Sequence, residues 1–309
     1  MENWYLEYKK LIDNSVENFL IKYFETEKNI WLKEIKKASI YACYWWKRIR
    51  SILALEFFLI FVNSNSKNSK KTIKDLSQKD DIIKFCIALE LLHWYSLVHD
   101  DLPCMDNDIL RRWKPTVWKK YWETNAILVW DLLNSLAFEL TSDIWNFTII
   151  SFYLSQAVWI KWMLWWQVLD LFYEQNPDKL SLDNLIEVHN KKTWALIECS
   201  ILWWIILAEK KVNFVKDEES NNIKKYLDFW KKIGLAFQIK DDLLDENWTF
   251  EETGKSVGNW EKKGFVYFMW IKKTEKFLDD LICEAQNIIK KLNSSKLDFL
   301  VKYIWERKK

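Results

Sequence analysis

Two clusters of aspartates stand out in this sequence because each follows a strongly apolar segment. The first, HDDLPCMDNDILRR, occupies residues 99–112, and the second, FQIKDDLLDE, occupies residues 237–246. On a helix, Asp241 and Asp245 share one face because they lie four residues apart. Crowded carboxylates repel one another unless a cation neutralises them, and hard oxygen ligands of this kind select Mg²⁺. One such cluster alone is typical of a solvated helix end, whereas two of them favour a metal site.

Basic residues complete this chemistry. Lys and Arg side chains bind phosphate oxygens, and Arg does so through a forked guanidinium. Carboxylates that hold Mg²⁺, together with nearby bases, describe a site for a diphosphate. The candidate bases are Lys47, Arg50, Arg111, Arg112, Lys192 and Lys255. Taken alone, Lys47 and Arg50 are typical of a solvated helix face, and His93 is typical of a hydrogen-bonded helix residue.

The segments that must position these residues carry a helical hydrophobic pattern, and alternating strand patterns are hard to find. Apolar residues recur at helical spacing in residues 4–35, 51–62, 82–99, 125–140, 151–172, 182–208, 220–245 and 265–307. No internal repeat and no long linker divides the chain. The pattern therefore predicts a single all-α domain of long helices over residues 1–309.

Composition excludes several classes of protein. The chain is 50% hydrophobic and 29% charged with a net charge of +2, which gives no general attraction to nucleic acid or to anionic membranes. The five cysteines are scattered without a CxxC pair, as in a protein with reduced thiols. The N-terminal residues show no signal peptide, and the apolar runs 51–62 and 201–208 are too short to span a bilayer. We expect a cytoplasmic protein without a transmembrane segment.

The glycine content is the most unusual feature of the composition. The chain has 22 Trp and only 4 Gly, where ordinary usage predicts roughly 22 Gly for this length. No glycine occurs between Met1 and Ile233, although tight turns and helix ends need the positive φ that glycine adopts most readily. In YACYWWKRIR, Trp45 and Trp46 precede the bases, where glycine would let backbone N–H groups approach a phosphate.

The motifs and their order resemble the trans-isoprenyl diphosphate synthases, the polyprenyl synthetase family. DDLPCMD and DDLLD lie about 140 residues apart on a helical chain, like the two aspartate-rich motifs of that family. The resemblance covers nearly the whole chain and is close to the short-chain bacterial farnesyl and geranylgeranyl diphosphate synthases. It is also carried by residues 93–116, 121–133, 160–171, 189–197 and 233–245. It implies the isoprenoid synthase fold, a bundle of about ten or more helices around a central cavity, and a homodimer.

The resemblance also implies a reaction and its metal. Dimethylallyl diphosphate and then geranyl diphosphate ionises, isopentenyl diphosphate attacks the carbocation, and loss of a proton gives farnesyl diphosphate. Mg²⁺, about three ions with substrate bound, is expected on Asp100, Asp101, Asp106, Asp241, Asp242 and Asp245. No nucleic acid partner is expected.

The substrate contacts follow from the same resemblance. The residues expected to contact the allylic diphosphate are Arg111, Lys192 and Lys255. Those expected to hold isopentenyl diphosphate are Lys47, Arg50, His93 and Arg112. Thr193 and Gln238 are expected to stabilise the carbocation. Tyr95, together with Ser96, is expected to set product length from the floor of the pocket, about one helical turn below Asp100.

The tryptophans depart from the family pattern in one consistent direction. The tryptophans that stand where the family has glycine are Trp45, Trp46, Trp113, Trp122, Trp130, Trp162, Trp165, Trp166, Trp194 and Trp270. The codon UGA is read as tryptophan in some genetic codes and as glycine in others, so a gene that uses UGA for glycine gives this pattern under the tryptophan table. Real tryptophans would each overpack the core by a few kcal/mol, against a net stability of about 5–15 kcal/mol.

Three alternatives remain open from the residues. Geranylgeranyl diphosphate synthesis is the nearest, because DDLPCMDND occurs in both product classes. A class I terpene cyclase also has an aspartate-rich motif on an all-α fold, but it lacks the Lys47–Arg50 site and does not consume isopentenyl diphosphate. A non-catalytic partner subunit of a prenyl synthase should have lost an aspartate motif, whereas this chain keeps both.

Overall fold

The computed structural model describes residues 3–26, 30–44, 47–64, 70–77, 80–111, 113–145, 147–158, 163–189, 221–247, 264–290 and 294–306. These residues are helical apart from their connections and one short hairpin, which confirms the predicted all-α class. The chain divides into two compact units. The first contains residues 1–152 and 203–210, and the second contains residues 153–202 and 211–309. The single domain over residues 1–309 stays a prediction.

The first unit contains the N-terminal helices and the hairpin. Its helices are α1 (Asn3–Thr26), α2 (Lys33–Cys43), α3 (Ile49–Ser64), α4 (Asp81–Asp100), α5 (Val117–Tyr121) and α6 (Glu123–Ser142). Strands β1 (Leu110–Arg111) and β2 (Lys114–Pro115) pair antiparallel, with Leu110 opposite Pro115 and Arg111 opposite Lys114. The helical pattern over residues 4–35 thus corresponds to α1 and the start of α2. Helix α7 (Phe147–Val158) follows α6.

Helix α4 forms the core of the first unit. It packs against α1, α2, α3 and α6, and most of its residues from Ile82 to Trp94 are buried. Its apolar residues surround the helix, as expected for a helix buried on all sides. Among the described residues, α4 alone is long and apolar enough to cross a membrane, yet 72% of its most apolar window is buried inside the protein. This burial identifies α4 as a core helix.

The second unit is built from the C-terminal helices. These are α8 (Met163–Gln175), α9 (182–189), α10 (Asn221–Asn247), α11 (Phe265–Ile289) and α12 (Ser295–Glu306). Helix α10 packs against α11 and α12. It buries Phe229, Ile233, Ala236 and Leu243, whose spacing of three, four and seven residues places them on one face. Asp241 and Asp242, near the end of α10, are half-buried.

Three tryptophans adopt backbone conformations that favour glycine. The φ angle is +66° at Trp113, +74° at Trp122 and +63° at Trp270. Trp122 and Trp270 combine this with ψ of 155° and 153°, a region populated almost exclusively by glycine. Their side chains are 54%, 80% and 77% exposed, so burial of the indole does not offset the backbone strain. All three are positions where the family pattern has glycine, which supports the hypothesis that glycine stands there.

Candidate active site

The first aspartate-rich segment folds back onto the end of α4. The Asp106 N–H donates to the Asp100 carbonyl at 2.9 Å, and the Asn107 N–H donates to the Leu102 carbonyl at 3.0 Å. Asn107 closes this turn with φ of +53°, a conformation that asparagine tolerates better than most residues. The turn brings Asp106 to the helix end that carries Asp100 and Asp101. The three predicted metal ligands of this motif therefore lie on one compact loop.

Asp101 is held by Arg111 from β1. The Nε and one terminal nitrogen of Arg111 lie 2.8 and 2.6 Å from Asp101 Oδ1, and Asp108 Oδ2 lies 3.6 Å from the same guanidinium. Burial would lower the pKa of Arg111, but Asp101, Asp108 and Asp100 outweigh it and raise that pKa. In this structure Arg111 is thus a partner of the acidic motif. Its predicted contact with an allylic diphosphate stays a prediction.

The carboxylates of this loop fit Mg²⁺ bound together with a substrate. Among the described residues, no three His, Cys, Asp or Glu side chains form a preassembled metal site. Mg²⁺ does not require one, because it usually keeps several waters and takes one or two carboxylates plus substrate phosphates. Asp100 is buried and Asp106 is exposed at the loop. These two hard oxygen donors could hold such an ion.

The basic segment that leads into α3 contains two arginines in different environments. Arg48 is buried and paired with Asp13 and Glu90. Arg50 places Nη1 3.3 Å from His93 Nε2, and its buried Nε has no hydrogen-bond partner among the described residues. Burial lowers the pKa of Arg50. A half-buried guanidinium whose buried Nε–H is unsatisfied is expected where the anionic partner is a ligand.

Two features of α3 and α4 support anion binding near Arg50. Lys47 and Arg50 flank the N-terminus of α3, where the helix dipole and unpaired N–H groups favour negative charge. On α4, His93 and Asp100 lie seven residues apart, which places them on one face about 10 Å apart along the axis. One helix, α4, therefore carries both His93, which contacts Arg50 of α3, and the acidic loop two turns later.

The residues predicted to set product length contact α6 or their own helix. The Tyr95 ring stacks on Trp130 at a centroid distance of 5.9 Å and an interplanar angle of 19°. Burial raises the pKa of Tyr95. The Ser96 hydroxyl donates to the His93 carbonyl at 2.8 Å. Because Trp130 is a position where the family has glycine, glycine there would leave open the space beside the Tyr95 ring.

In the second motif, the Asp242 side chain contacts the first residue of helix α11. Its Oδ2 accepts the Phe265 N–H at 2.8 Å, which caps the first turn of α11. A Cβ at Gly264 would lie 3.2 Å from Asp242 Oδ2, tighter than an ordinary contact, so this close approach favours glycine. Gln238, half-buried, lies three residues before Asp241 on α10, and its role toward the carbocation stays a prediction. Asp241 is half-buried on the same helix.

Several predicted site residues lie outside the described residues. These are Arg112, Lys192, Thr193 and Lys255, together with the side chain of Asp245. Their roles stay predictions. Sequence reasoning also passed over a buried ion pair between Arg48 and Glu90. The available signal was a single acidic residue inside the apolar run ALELLH of residues 88–93.

Comparison with known protein families agrees with this site. The family model described as polyprenyl synthetase matches residues 33–303. The chain belongs to the polyprenyl synthetase family. The matched range contains both aspartate-rich motifs and the basic segment.

Individual relatives cover both short-chain product classes. The chain is 37% identical over 240 residues to farnesyl diphosphate synthase of Micrococcus luteus, covering 74% of this chain and 78% of that protein. It is 38% identical over 185 residues to a chloroplastic geranylgeranyl pyrophosphate synthase of Arabidopsis thaliana, covering 55% of this chain and 48% of that protein. The fold resembles that of Helicobacter pylori geranyltransferase complexed with magnesium and isoprenyl diphosphate, with a TM-score of 0.72, 28% identity and coverage of 98% and 97%. Overall identity therefore does not separate the product classes.

Proposed function

We propose that this member of the polyprenyl synthetase family is a Mg²⁺-dependent short-chain trans-prenyltransferase. It condenses isopentenyl diphosphate with dimethylallyl diphosphate and then with geranyl diphosphate to give farnesyl diphosphate. The observation that carries the proposal is the arrangement on α4. Its His93 contacts the incompletely satisfied Arg50, while its C-terminal end carries the acidic loop of Asp100 and Asp106.

The reaction requires two diphosphates to be held in different ways. The C1–O bond of the allylic substrate breaks, and its electron pair leaves on diphosphate. The double bond of isopentenyl diphosphate supplies the electrons of the new carbon–carbon bond, and a proton from its C2 passes to the departing diphosphate. The first diphosphate must become a good leaving group, whereas the second must stay attached to carbon.

The two kinds of group in this chain suit these two tasks. Mg²⁺ supplies positive charge to a leaving diphosphate when it is bound. Asp100 and Asp106 would hold it, and ligation by Asp241 stays a prediction from the family resemblance. Arg50 and Lys47 offer N–H donors for the diphosphate that is retained, and the half-buried Arg50 gives the stronger, forked contact.

Farnesyl diphosphate is the proposed product because an aromatic ring, Tyr95, lies one turn before the acidic motif on α4. Geranylgeranyl diphosphate is the alternative product, since relatives of both classes match with nearly equal identity. A terpene cyclase or an inactive subunit is less favoured because the chain keeps both aspartate motifs and the Arg50–His93 pair. The homodimer, the three Mg²⁺ ions and the cytoplasmic location rest on the family resemblance and the composition.

A condensation assay tests the proposal directly. The purified protein is incubated with radiolabelled isopentenyl diphosphate, Mg²⁺ and either dimethylallyl or geranyl diphosphate, and product length is measured by liquid chromatography and mass spectrometry. We expect a C15 diphosphate from both allylic substrates, loss of turnover with EDTA, and recovery with Mg²⁺. A C20 product would establish the alternative.

The assay should be run on two forms of the chain. The tryptophan form is the sequence as translated, and the glycine form carries glycine at the ten tryptophan positions named above. Failure of both forms to consume isopentenyl diphosphate with any allylic partner would overturn the proposal. Activity of the glycine form alone would support it and would locate the obstruction in the tryptophans.

A further inference from the structure

A buried charge network joins the basic segment to the core helix α4. Arg48 and Glu90 are 3% and 2% exposed, and Arg48 Nη1 lies 2.8 Å from Glu90 Oε2. Arg48 Nε lies 2.8 Å from Asp13 Oδ1 of α1, and Nη2 donates to the Cys43 carbonyl at the end of α2. The Arg48 guanidinium therefore donates to acceptors on three helices, α1, α2 and α4.

Glu90 contacts both chain neighbours of the Ile49–Arg50 dipeptide. Its Oε2 binds Arg48, and its Oε1 accepts the Ser51 hydroxyl at 2.6 Å. One turn later on α4, His93 contacts Arg50 itself at 3.3 Å. Glu90 thus binds a side chain on each side of the Ile49–Arg50 dipeptide, and its negative charge favours the charged form of the Arg50 guanidinium against burial.

The backbone of the basic segment needs such a restraint. Arg48 adopts φ of +54°, a conformation that residues with a Cβ rarely take. Strained conformations of this kind persist where the surrounding structure over-determines them. Here the restraint is the ion pair with Glu90 and Asp13. Lys47 directly precedes Arg48 in the chain, and α3 begins directly after it at Ile49.

We propose that Glu90 and Arg48 are positioning residues for isopentenyl diphosphate. Their buried ion pair holds the segment from Lys47 to Ser51 so that the Arg50 guanidinium meets the diphosphate in one fixed orientation. The inference rests on the proposed function and deepens it. Neither residue contacts the substrate, and each acts by positioning Arg50 and Lys47.

A matched pair of buried carboxylates separates positioning from simple stability. Glu56 of α3 is also buried, at 5% exposed, accepts the Tyr8 hydroxyl at 2.7 Å, and lies six residues after Arg50 in the chain. Glu90→Gln and Glu56→Gln each remove one buried charge without changing shape. The measurements are the Tm, kcat, the KM for isopentenyl diphosphate, the KM for geranyl diphosphate, and binding of isopentenyl diphosphate by calorimetry.

We expect Glu90→Gln to raise the KM and Kd for isopentenyl diphosphate by about tenfold, because a misplaced Arg50 loses a charge-assisted contact. The KM for geranyl diphosphate should change by no more than about twofold. Glu56→Gln should lower the Tm to a similar degree and leave both KM values within about twofold. Equal effects of the two substitutions on the isopentenyl constants would overturn the inference.

Two further results keep the test decisive. If Glu90→Gln does not fold, Ser51→Ala removes the hydroxyl that donates to Glu90, and also its longer contact with the Cys86 carbonyl. This substitution should raise the KM for isopentenyl diphosphate by about threefold. No change in that KM would overturn the inference. If neither the tryptophan form nor the glycine form binds or consumes isopentenyl diphosphate, the proposed function itself is wrong and the inference falls with it. Normal activity with unaffected variants rejects the inference alone.

Discussion

Arg48 and Arg50 show how two identical side chains in one short segment serve different purposes. Arg48 pairs with carboxylates of α1 and α4, and these carboxylates raise the pKa of Arg48 although burial lowers it. Arg50 meets a histidine and keeps a buried Nε without a partner among the described residues. Arg48 is therefore committed to structure, and Arg50 is held ready for an anion.

This difference predicts opposite effects of the same substitution. Arg48→Met should lower the free energy of unfolding by about 3–5 kcal/mol, because it leaves Glu90 buried and unpaired. Arg50→Met should leave that free energy unchanged or raise it, because it removes a buried group that is incompletely satisfied. It should also raise the KM for isopentenyl diphosphate by at least about tenfold. Urea denaturation and steady-state kinetics measure both effects, and equal destabilisation by the two substitutions would contradict the prediction.

The tryptophans at glycine-type positions give a second prediction at the residue scale. We expect peptide mass spectra of the protein from its native source to show glycine at Trp122 and Trp270, where the backbone is most strained. The same result is expected across residues 41–51 and 160–171. Positive φ together with ψ near 155° is readily adopted by glycine alone. Tryptophan masses at these positions would contradict the UGA hypothesis and would leave Trp45 and Trp46 beside the bases.

At the scale of elements, α4 determines the geometry of the proposed active site. Its apolar surface packs against four other helices, so the helix cannot rotate without disrupting the core. His93, Tyr95 and Asp100 therefore keep their relative positions. A helix with this burial can hold the Arg50 contact, His93, at one level and an acidic loop two turns later.

The position of Tyr95 on α4 predicts a change in product. Tyr95→Ala should lengthen the product from C15 toward C20 or beyond, because the side chain that limits the pocket is removed. Mass spectrometry of the diphosphate products provides the measurement. Ser96→Ala tests the second residue predicted to set product length, whose hydroxyl donates to the His93 carbonyl within its own helix. Unchanged C15 output from Tyr95→Ala would reject its role in chain length.

The cap that Asp242 forms on α11 predicts a stability effect separate from metal binding. Asp242→Ala should lower the free energy of unfolding by about 0.5–2 kcal/mol, because the Phe265 N–H loses its acceptor. Asp242→Asn keeps an oxygen acceptor and should cost less. Asp280→Ala, on the exposed face of α11, is the control and should stay within about 0.5 kcal/mol of the unsubstituted protein. Equal stability of Asp242→Ala and Asp280→Ala would contradict the role as a cap.

At the scale of the whole molecule, the family match and the division into two compact units describe the domain organisation differently. One family model spans residues 33–303, whereas the contacts divide the chain into two units. We expect one cooperative unfolding transition for the full chain, as for a single domain. Urea denaturation followed by far-UV circular dichroism and by tryptophan fluorescence should give coincident midpoints. Two separated transitions would show that the units fold as independent domains.

The fold class and the chemistry of the motifs could be predicted from the sequence because both depend on local patterns. Helical spacing of apolar residues identified α3, α4, α6 and α10, and the two aspartate motifs identified a family whose model then matched. Helix ends were less predictable. The continuous pattern over residues 4–35 concealed the break between α1 and α2, and no alternating pattern announced the two-residue strands.

The sequence by itself determined the types and the order of the candidate site residues, the aspartates, bases and aromatic residues that the family resemblance assigns to it. Only the tertiary structure decided which of those charges are already paired. Arg48 and Glu90 lie 42 residues apart, and Asp242 and Phe265 lie 23 residues apart. Such pairs form only when packing brings separate helices together. How strongly a charged side chain can bind a ligand depends on whether it is already paired and on how deeply it is buried. Neither property follows from local spacing in the sequence.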